Sequence, residues 1–166
     1  MITQQDYILL KFINSVSLVR GRVRLQKAFY LLQYMGLNID DRFSMHYYGP
    51  YSADLALRID SLVSNGYIEE GGSAREYKYN ISEPGKAAIA RIENEHLTDL
   101  LDPDWINKFK ALSKERVSDL ERAATILFWL DWGKNFKDAL KASQLQKGKV
   151  PDSALALALK IRGQKH

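Results

Sequence analysis

The sequence predicts a mostly α protein with a small β-wing: a winged helix-turn-helix module followed by a C-terminal helical extension. Three observations predict it. Apolar residues recur at helical spacing through most of the 166 residues. Between residues 20 and 79 the order is helix, short aromatic strand, helix and two-stranded hairpin, which is the order of a winged helix. Beyond residue 98 the pattern is helical throughout. A winged-helix-like module is therefore expected at 1–97, with a helical extension packed on it at 98–166.

The first helix is expected from about Thr3 to Ser15, with Thr3 as N-cap and Tyr7, Leu10, Phe12 and Ile13 supplying the apolar spacing. Gly21 breaks the chain. A second helix carries Val23, Leu25, Phe29, Leu32 and Met35, and Gly36 is placed to end it in a left-handed conformation. Phe43 to Tyr48 reads as extended, bounded by Asp40-Asp41 and by a turn at Gly49-Pro50. Ser52 is the expected cap of a third helix, with Leu55, Ile59, Leu62 and Val63 inward and an end at Asn65-Gly66. Strands over Tyr67–Glu70 and Tyr77–Ile81 then pair around a loose tip at Gly71-Gly72-Ser73-Ala74-Arg75, forming the wing.

Ser82 caps a further helix reaching about His96, with Pro84 in its first turn. Asp102-Pro103 starts another. Ser118-Asp-Leu-Glu121 reads as the capping box of the most apolar helix. Ala123, Ala124, Ile126, Leu127, Phe128, Leu130 and Trp132 surround that helix on most sides, so it belongs at the centre of a bundle. Gly133 ends it, and two amphipathic helices follow near Phe136–Leu145 and Asp152–Ile161. The boundary between the two halves is expected near Glu95 to Pro103.

Composition excludes several functions. The chain has no cysteine, hence no disulfide, thiolate metal site or cysteine nucleophile. Gln4, Gln5 and Asp6 interrupt the start before a signal-peptide core forms, and the apolar stretch at Ala123–Leu130 is too short to span a bilayer. A soluble, cytoplasmic protein with no membrane partner is expected. The net charge of +4 favours polyanions only mildly. The basic excess sits around Arg20 to Lys27 and from Lys134 onward.

No catalytic constellation emerges. His46, His96 and His166 are far apart and lack a metal-ligand spacing, and His46 reads as a structural residue of an aromatic strand. The glycines form no phosphate loop. The pairs Asp40-Asp41 and Glu69-Glu70 stand at element ends, where carboxylates usually face water. Ser52 follows Gly-Pro-Tyr, but helix capping explains it more simply than nucleophilic catalysis does. A non-enzymatic protein with no cofactor and no metal is expected.

Nucleic-acid binding is expected at Arg20, Arg22, Arg24 and Lys27, with Arg75 and Lys78 in the wing, because such cations release counterions from phosphate. Tyr51, with Tyr47 and Tyr48, would stack or hydrogen-bond at the same surface. The third helix would be the reading helix, with Arg58 for guanine and Asn65 for adenine. Its expected outward positions are Ala53, Asp54, Leu57, Arg58, Ser61 and Asn65, and Asp54 and Asp60 outnumber Arg58 there. The basic stretch has a structural alternative, pairing with Asp40, Asp41 or Glu69. Positive charge at a helix N-terminus is unfavourable, which argues for use outside the fold.

The segments Gly21-Arg-Val-Arg-Leu-Gln-Lys-Ala-Phe-Tyr-Leu-Leu32, His46-Tyr-Tyr-Gly-Pro-Tyr-Ser52 and Leu62 through Gly66-Tyr67-Ile68-Glu69 resemble the YwgA-like proteins of bacteria and archaea, as does most of the chain. The front half is also similar to the SocA/Panacea antitoxin domain. The second resemblance implies protein binding, either neutralising a toxin or acting as an adaptor, without catalysis. The resulting expectation is a regulator that binds nucleic acid in a prokaryotic regulatory or defence system. Its alternative is a protein-binding antitoxin or adaptor module. A homodimer through the C-terminal helices, anchored by Trp129 and Trp132, is a third expectation.

Overall fold

Side-chain caps set the ends of several elements in the computed structural model, which describes residues 1–95 and 101–165. Thr3 opens α1 (Gln4–Asn14) with a reciprocal box: its hydroxyl accepts from the Asp6 N–H at 3.1 Å, and its own N–H donates to the Asp6 carboxylate at 2.9 Å. A short strand β1 (Val19–Arg20), which the sequence does not predict, precedes α2 (Arg22–Met35). Gly36 ends α2 at φ 120°, in the left-handed region that a Cβ disfavours.

The aromatic segment differs from expectation. It forms a hairpin of β2 (Ser44–His46) and β3 (Gly49–Tyr51), with Met45 opposite Pro50. The turn is Tyr47-Tyr48, and Gly49-Pro50 lies in a strand instead of making the turn. A two-stranded ribbon leaves one side of each strand unpaired, so a residue without an N–H is tolerated there. Ser52 then caps α3 (Ala53–Ser64), accepting from the Leu55 N–H at 3.2 Å.

β4 (Ile68–Ser73) and β5 (Glu76–Ile81) pair antiparallel, and β1 joins the far side of β5 with Val19 opposite Tyr79. Gly71, Gly72 and Ser73 of the expected tip lie inside β4, which leaves Ala74-Arg75 as the turn. Gly72 has φ 81°, and a Cβ there would run into the Glu76 carbonyl, so glycine lets the ladder pass through a position closed to other residues.

Ser82 caps α4 (Glu83–Glu95), accepting from the Gly85 N–H at 3.0 Å. The expected helix end at His96 and the boundary between residues 97 and 98 lie outside the described residues. α5 (Pro103–Ser113) starts at an Asp102 cap, and α6 (Val117–Asp131), α7 (Phe136–Lys147) and α8 (Asp152–Arg162) follow. The capping box expected at Ser118 does not form: Arg116 is the N-cap and Ser118 lies within α6. The Arg24 guanidinium binds the carbonyls of Ser113 and Glu115, which fixes the turn between α5 and α6.

The described residues thus make eight helices with a small antiparallel sheet and a two-stranded ribbon. α6 is central as expected: Leu120, Ala123, Ala124, Ile126 and Leu127 are fully buried, and α2, β3, α7 and α8 pack around it. Phe12 stacks on Phe109 at 4.9 Å and meets the edge of Phe29 at 5.6 Å, tying α1, α5 and α2 together. One apolar cluster runs from Tyr7 to Ile161. Most of the apolar surface of α6 is therefore covered within the chain, although Trp132 at its end stays exposed. No described helix is long and apolar enough to cross a membrane.

Candidate binding cleft

Two successive residues of α2 hold the aromatic hairpin in place. Gln26 donates from Nε2 to the Ser52 carbonyl at 2.8 Å, and the Ser52 N–H donates to Gln26 Oε1 at 2.8 Å. Both residues are buried, so the side-chain amide takes the place of a neighbouring strand's peptide group. Lys27 donates from Nζ to the Pro50 carbonyl at 2.7 Å. On the other side the hairpin lies close against α6. Gly49 has φ 98°, and a Cβ on it would stand 2.7 Å from Thr125 Oγ1. Lys27 is 2% exposed, and burial pulls its ammonium down to about 8, opposed by Glu121 and assisted by Lys147.

Between α2, α3 and this hairpin lies a cleft of about 320 Å³. Val23, Ala56 and Ile59 form one wall, and Tyr47, Tyr48, Tyr51 and His46 form the other. Gln26 and Lys27 also line it, together with Arg22. The hairpin tip is held from α7. Gln146 Nε2 donates to the carbonyls of His46 at 3.0 Å and Tyr47 at 3.1 Å. Lys147 Nζ lies 4.2 Å from the Tyr48 ring centroid and 4.9 Å from that of Tyr47, while pairing with Glu121 at 3.3 Å.

The basic residues expected to meet nucleic acid are dispersed, and four of them are engaged inside the fold. Arg22 binds Asp60, Glu70 at 3.0 Å and the Tyr79 hydroxyl at 2.6 Å, and that hydroxyl donates to Glu70 at 2.7 Å. Burial works against the Arg22 charge, but these three bonds outweigh it and raise the guanidinium above its ordinary value. Its partners are not the Asp40, Asp41 or Glu69 expected from the sequence, because α3 and β4 bring Asp60 and Glu70 closer. Arg24 donates to backbone carbonyls of Arg20, Ser113 and Glu115. Arg58 does not face outward: it lies 2.5 Å from Asp41 and 3.6 Å from Asp6. Asp41, expected to face water, is buried, and burial raises its carboxyl against the pull of Arg58.

Arg20 pairs with Glu76 at 3.2 Å in the open. Arg75 is exposed and Lys78 half-buried, and neither has a side-chain hydrogen bond or ion pair among the described residues. Tyr51 stands on the cleft wall with its ring 4.8 Å from that of His46, which is itself exposed. Asn65 turns back to the Ser61 carbonyl at 2.8 Å. His96 and His166 lie outside the described residues.

No protein-family model matches the chain. Over 125 residues, however, it is 30% identical to YwgA, an uncharacterized protein of Bacillus subtilis (strain 168), covering 73% of this chain and 72% of that one. The chain belongs to the YwgA-like family. In this YwgA-like protein the residues that sequence reasoning missed are Gln26 as a backbone clamp and Gln146, Lys147 and Glu121 as the hold on the hairpin tip. Gln26 left a signal, since a polar amide between Leu25 and Ala28 on a buried helix face must find partners. Gln146 left none, because its bond to His46 spans 100 residues of chain.

Proposed function

We propose that this YwgA-like chain is a non-enzymatic protein-binding module, adaptor-like or antitoxin-like, that takes its partner at the cleft between α2, α3 and the β2–β3 hairpin. One observation carries the reading. Val23, Tyr47, Tyr48 and Leu57 are 37%, 69%, 54% and 68% exposed, and three of them line the cleft. Large apolar side chains gathered around a concavity mark an interaction surface, whereas scattered ones do not. The similarity of the Leu-Gln-Lys and Tyr-Gly-Pro segments to the SocA/Panacea domain supports the same reading. In it, α2, α3 and the β4–β5 hairpin act as a winged helix put to protein recognition, in the cytoplasm of a prokaryote and within a regulatory or defence system.

A second reading, nucleic-acid binding, is favoured by the sheet. Arg20 lies opposite Lys78 in the ladder, and Glu76 offsets only one of these two charges, which leaves that face positive. Arg75 sits beyond them at the tip. The test of the first reading places a photo-crosslinking amino acid at Leu57 in the native cells. One protein cross-linked in stoichiometric yield is the expected result. Tight, steeply salt-dependent retention of random duplex DNA, abolished by Arg75→Glu with Lys78→Glu and accompanied by no cross-linked protein, would overturn it in favour of the wing.

A further inference from the structure

The basic excess that begins at Lys134 has no part in the cleft, and the fold gathers much of it at one place. The C-terminal end of α6, the N-terminal end of α7 and the C-terminal end of α8 meet there. Lys165 pairs with Asp131 at 2.6 Å, and the Arg162 guanidinium lies 5.4 Å from the Phe136 ring centroid. Lys134 Nζ stands 5.6 Å from the Trp129 ring centroid, and Lys137 lies in the first turn of α7. Lys141 follows one turn later, about 6 Å along the axis. All five cations are exposed.

Only part of this charge has a use within the fold. Arg162 in the last turn of α8 and Lys165 just beyond it stand where a helix C-terminus favours cations, and Lys165 also neutralises Asp131. Lys137 stands at a helix N-terminus, where a cation is unfavourable. Neither it nor Lys141 has a side-chain hydrogen bond or ion pair among the described residues. Asp138 is the one carboxylate on α7 to set against them.

The same turn presents an aromatic face. Trp132, the C-cap of α6, is 72% exposed. Phe128 stacks on it at 5.7 Å with 26° between the planes, which holds the indole by one face and leaves the other to solvent. The backbone beside it is fixed as well, since the Lys134 N–H donates to the Trp129 carbonyl at 3.0 Å. One exposed aromatic needs no explanation by itself, and a few lysines alone are a solvated face. Within one turn of each other they supply what a single strand of nucleic acid requires: an open ring for a base, and cations in line for the phosphates that follow it. A duplex keeps its bases stacked on one another and has no such face to offer. An acidic peptide would satisfy the lysines and leave the ring unmatched.

We propose that this end of the helical half binds single-stranded nucleic acid, with one base stacked on Trp132 and successive phosphates on Lys134, Lys137 and Lys141. The site is separate from the cleft: α7 reaches the hairpin tip through Gln146, about 14 Å along the axis from Lys137. It is separate from the wing too, so its failure and that of the protein-binding reading are independent, and cross-linking at Leu57 tests only the latter.

The probes are fluorescein-labelled oligothymidylate and oligouridylate of about a dozen nucleotides, followed by anisotropy across a salt series, with a GC-rich duplex carrying as many phosphates for comparison. Three phosphate contacts predict a slope of about −2 in log affinity against log salt, or about a 20-fold loss between about 50 and about 200 mM. Trp132→Ala should weaken binding at least about fivefold with the melting temperature unchanged, and Trp132→Phe should restore part of it. Stacking also quenches indole emission, so the quench should vanish in Trp132→Phe while binding partly remains. Lys137→Ala with Lys141→Ala should reduce the slope to about −0.7. If Trp132→Ala unfolds, Lys137→Glu with Lys141→Glu takes its place and should abolish binding. No saturable binding at low salt would overturn the proposal, as would a duplex bound as tightly as the single strand. So would binding lost in Arg75→Glu with Lys78→Glu but kept in Trp132→Ala, which would assign it to the wing. Tighter binding to vesicles of phosphatidylserine and phosphatidylcholine than to either oligonucleotide would replace nucleic acid with a membrane surface.

Discussion

Replacing Gln26 by leucine removes a single amide but leaves two backbone groups without partners. In the native structure Gln26 serves the carbonyl and the N–H of Ser52, both bonds being 2.8 Å long. Ser52 is 0% exposed, so water does not take over either bond. An orphaned buried polar group costs about 1–3 kcal/mol, which puts Gln26→Leu at about 2–6 kcal/mol. That is a large share of the roughly 5–15 kcal/mol that holds a typical domain together. Equilibrium unfolding in urea measures it directly, and the midpoint should fall while the slope with urea stays constant. In a thermal scan, about 2–4 °C is lost per kcal/mol for a chain of this size.

Gln26→Glu adds a second arm. The carboxylate still accepts from the Ser52 N–H but gives nothing to the Ser52 carbonyl. Its protonated form regains an O–H donor, so this variant should recover stability relative to Gln26→Leu as the pH falls. A loss below about 1 kcal/mol in Gln26→Leu, or no recovery of Gln26→Glu in acid, would refute the clamp.

Three further outcomes are expected. Lys27 has its ordinary value of 10.5 when unfolded and about 8 when buried, so between those values the unfolded chain holds more protons. Stability should therefore rise from pH 8 toward pH 10 by up to about 3 kcal/mol. Above about pH 10 the buried Tyr30 and Tyr79, whose hydroxyls are raised in the fold, reverse the trend. Urea titrations across this range should lose the rise in Lys27→Met, and a rise that survived would show that another group is responsible. Gly49→Ala combines a left-handed backbone with a contact 2.7 Å from Thr125 Oγ1 and should cost about 2–5 kcal/mol. Adding Thr125→Ala should return the steric part, visible as a coupling in a double-mutant cycle. Gln146→Ala should barely move the melting temperature, yet it should speed amide exchange at residues 44–51; unchanged exchange would mean that α7 does not restrain the tip.

Most of the scaffold was legible because its signals are local. Thr3, Ser52, Ser82 and Asp102 each cap a helix within three residues of chain, and Gly36 ends one through its own backbone. The apolar circumference of Ala123–Phe128 was enough to place α6 at the centre. Misreadings arose where a tertiary contact overrode a local pattern. Ser118 had the pattern of a cap, but Arg24, distant in sequence, sets the start of that helix. Gly49-Pro50 had the composition of a turn, but the bonds of Lys27 to the Pro50 carbonyl and of Gln26 to Ser52 just after it draw it into a strand. Basic residues were readable as charges and not as partners: nothing in the order of residues shows that Asp60 and Glu70 meet Arg22, or that Asp41 is buried under Arg58.

The tie between Gln146 and the hairpin tip also bears on how the chain is made. Ribosomes deliver Tyr47 and Tyr48 long before Gln146, which follows a hundred residues later. Throughout that interval α2 and Ser52 are available to each other, while the roof of the cleft has nothing to rest on. A nascent chain therefore carries an unfinished cleft, which reaches its mature shape only after α7 has emerged and docked. Translation that stops short of α7 would release a protein whose hairpin tip, with Tyr47 and Tyr48 exposed, is loosely held, and chaperones would meet those rings first.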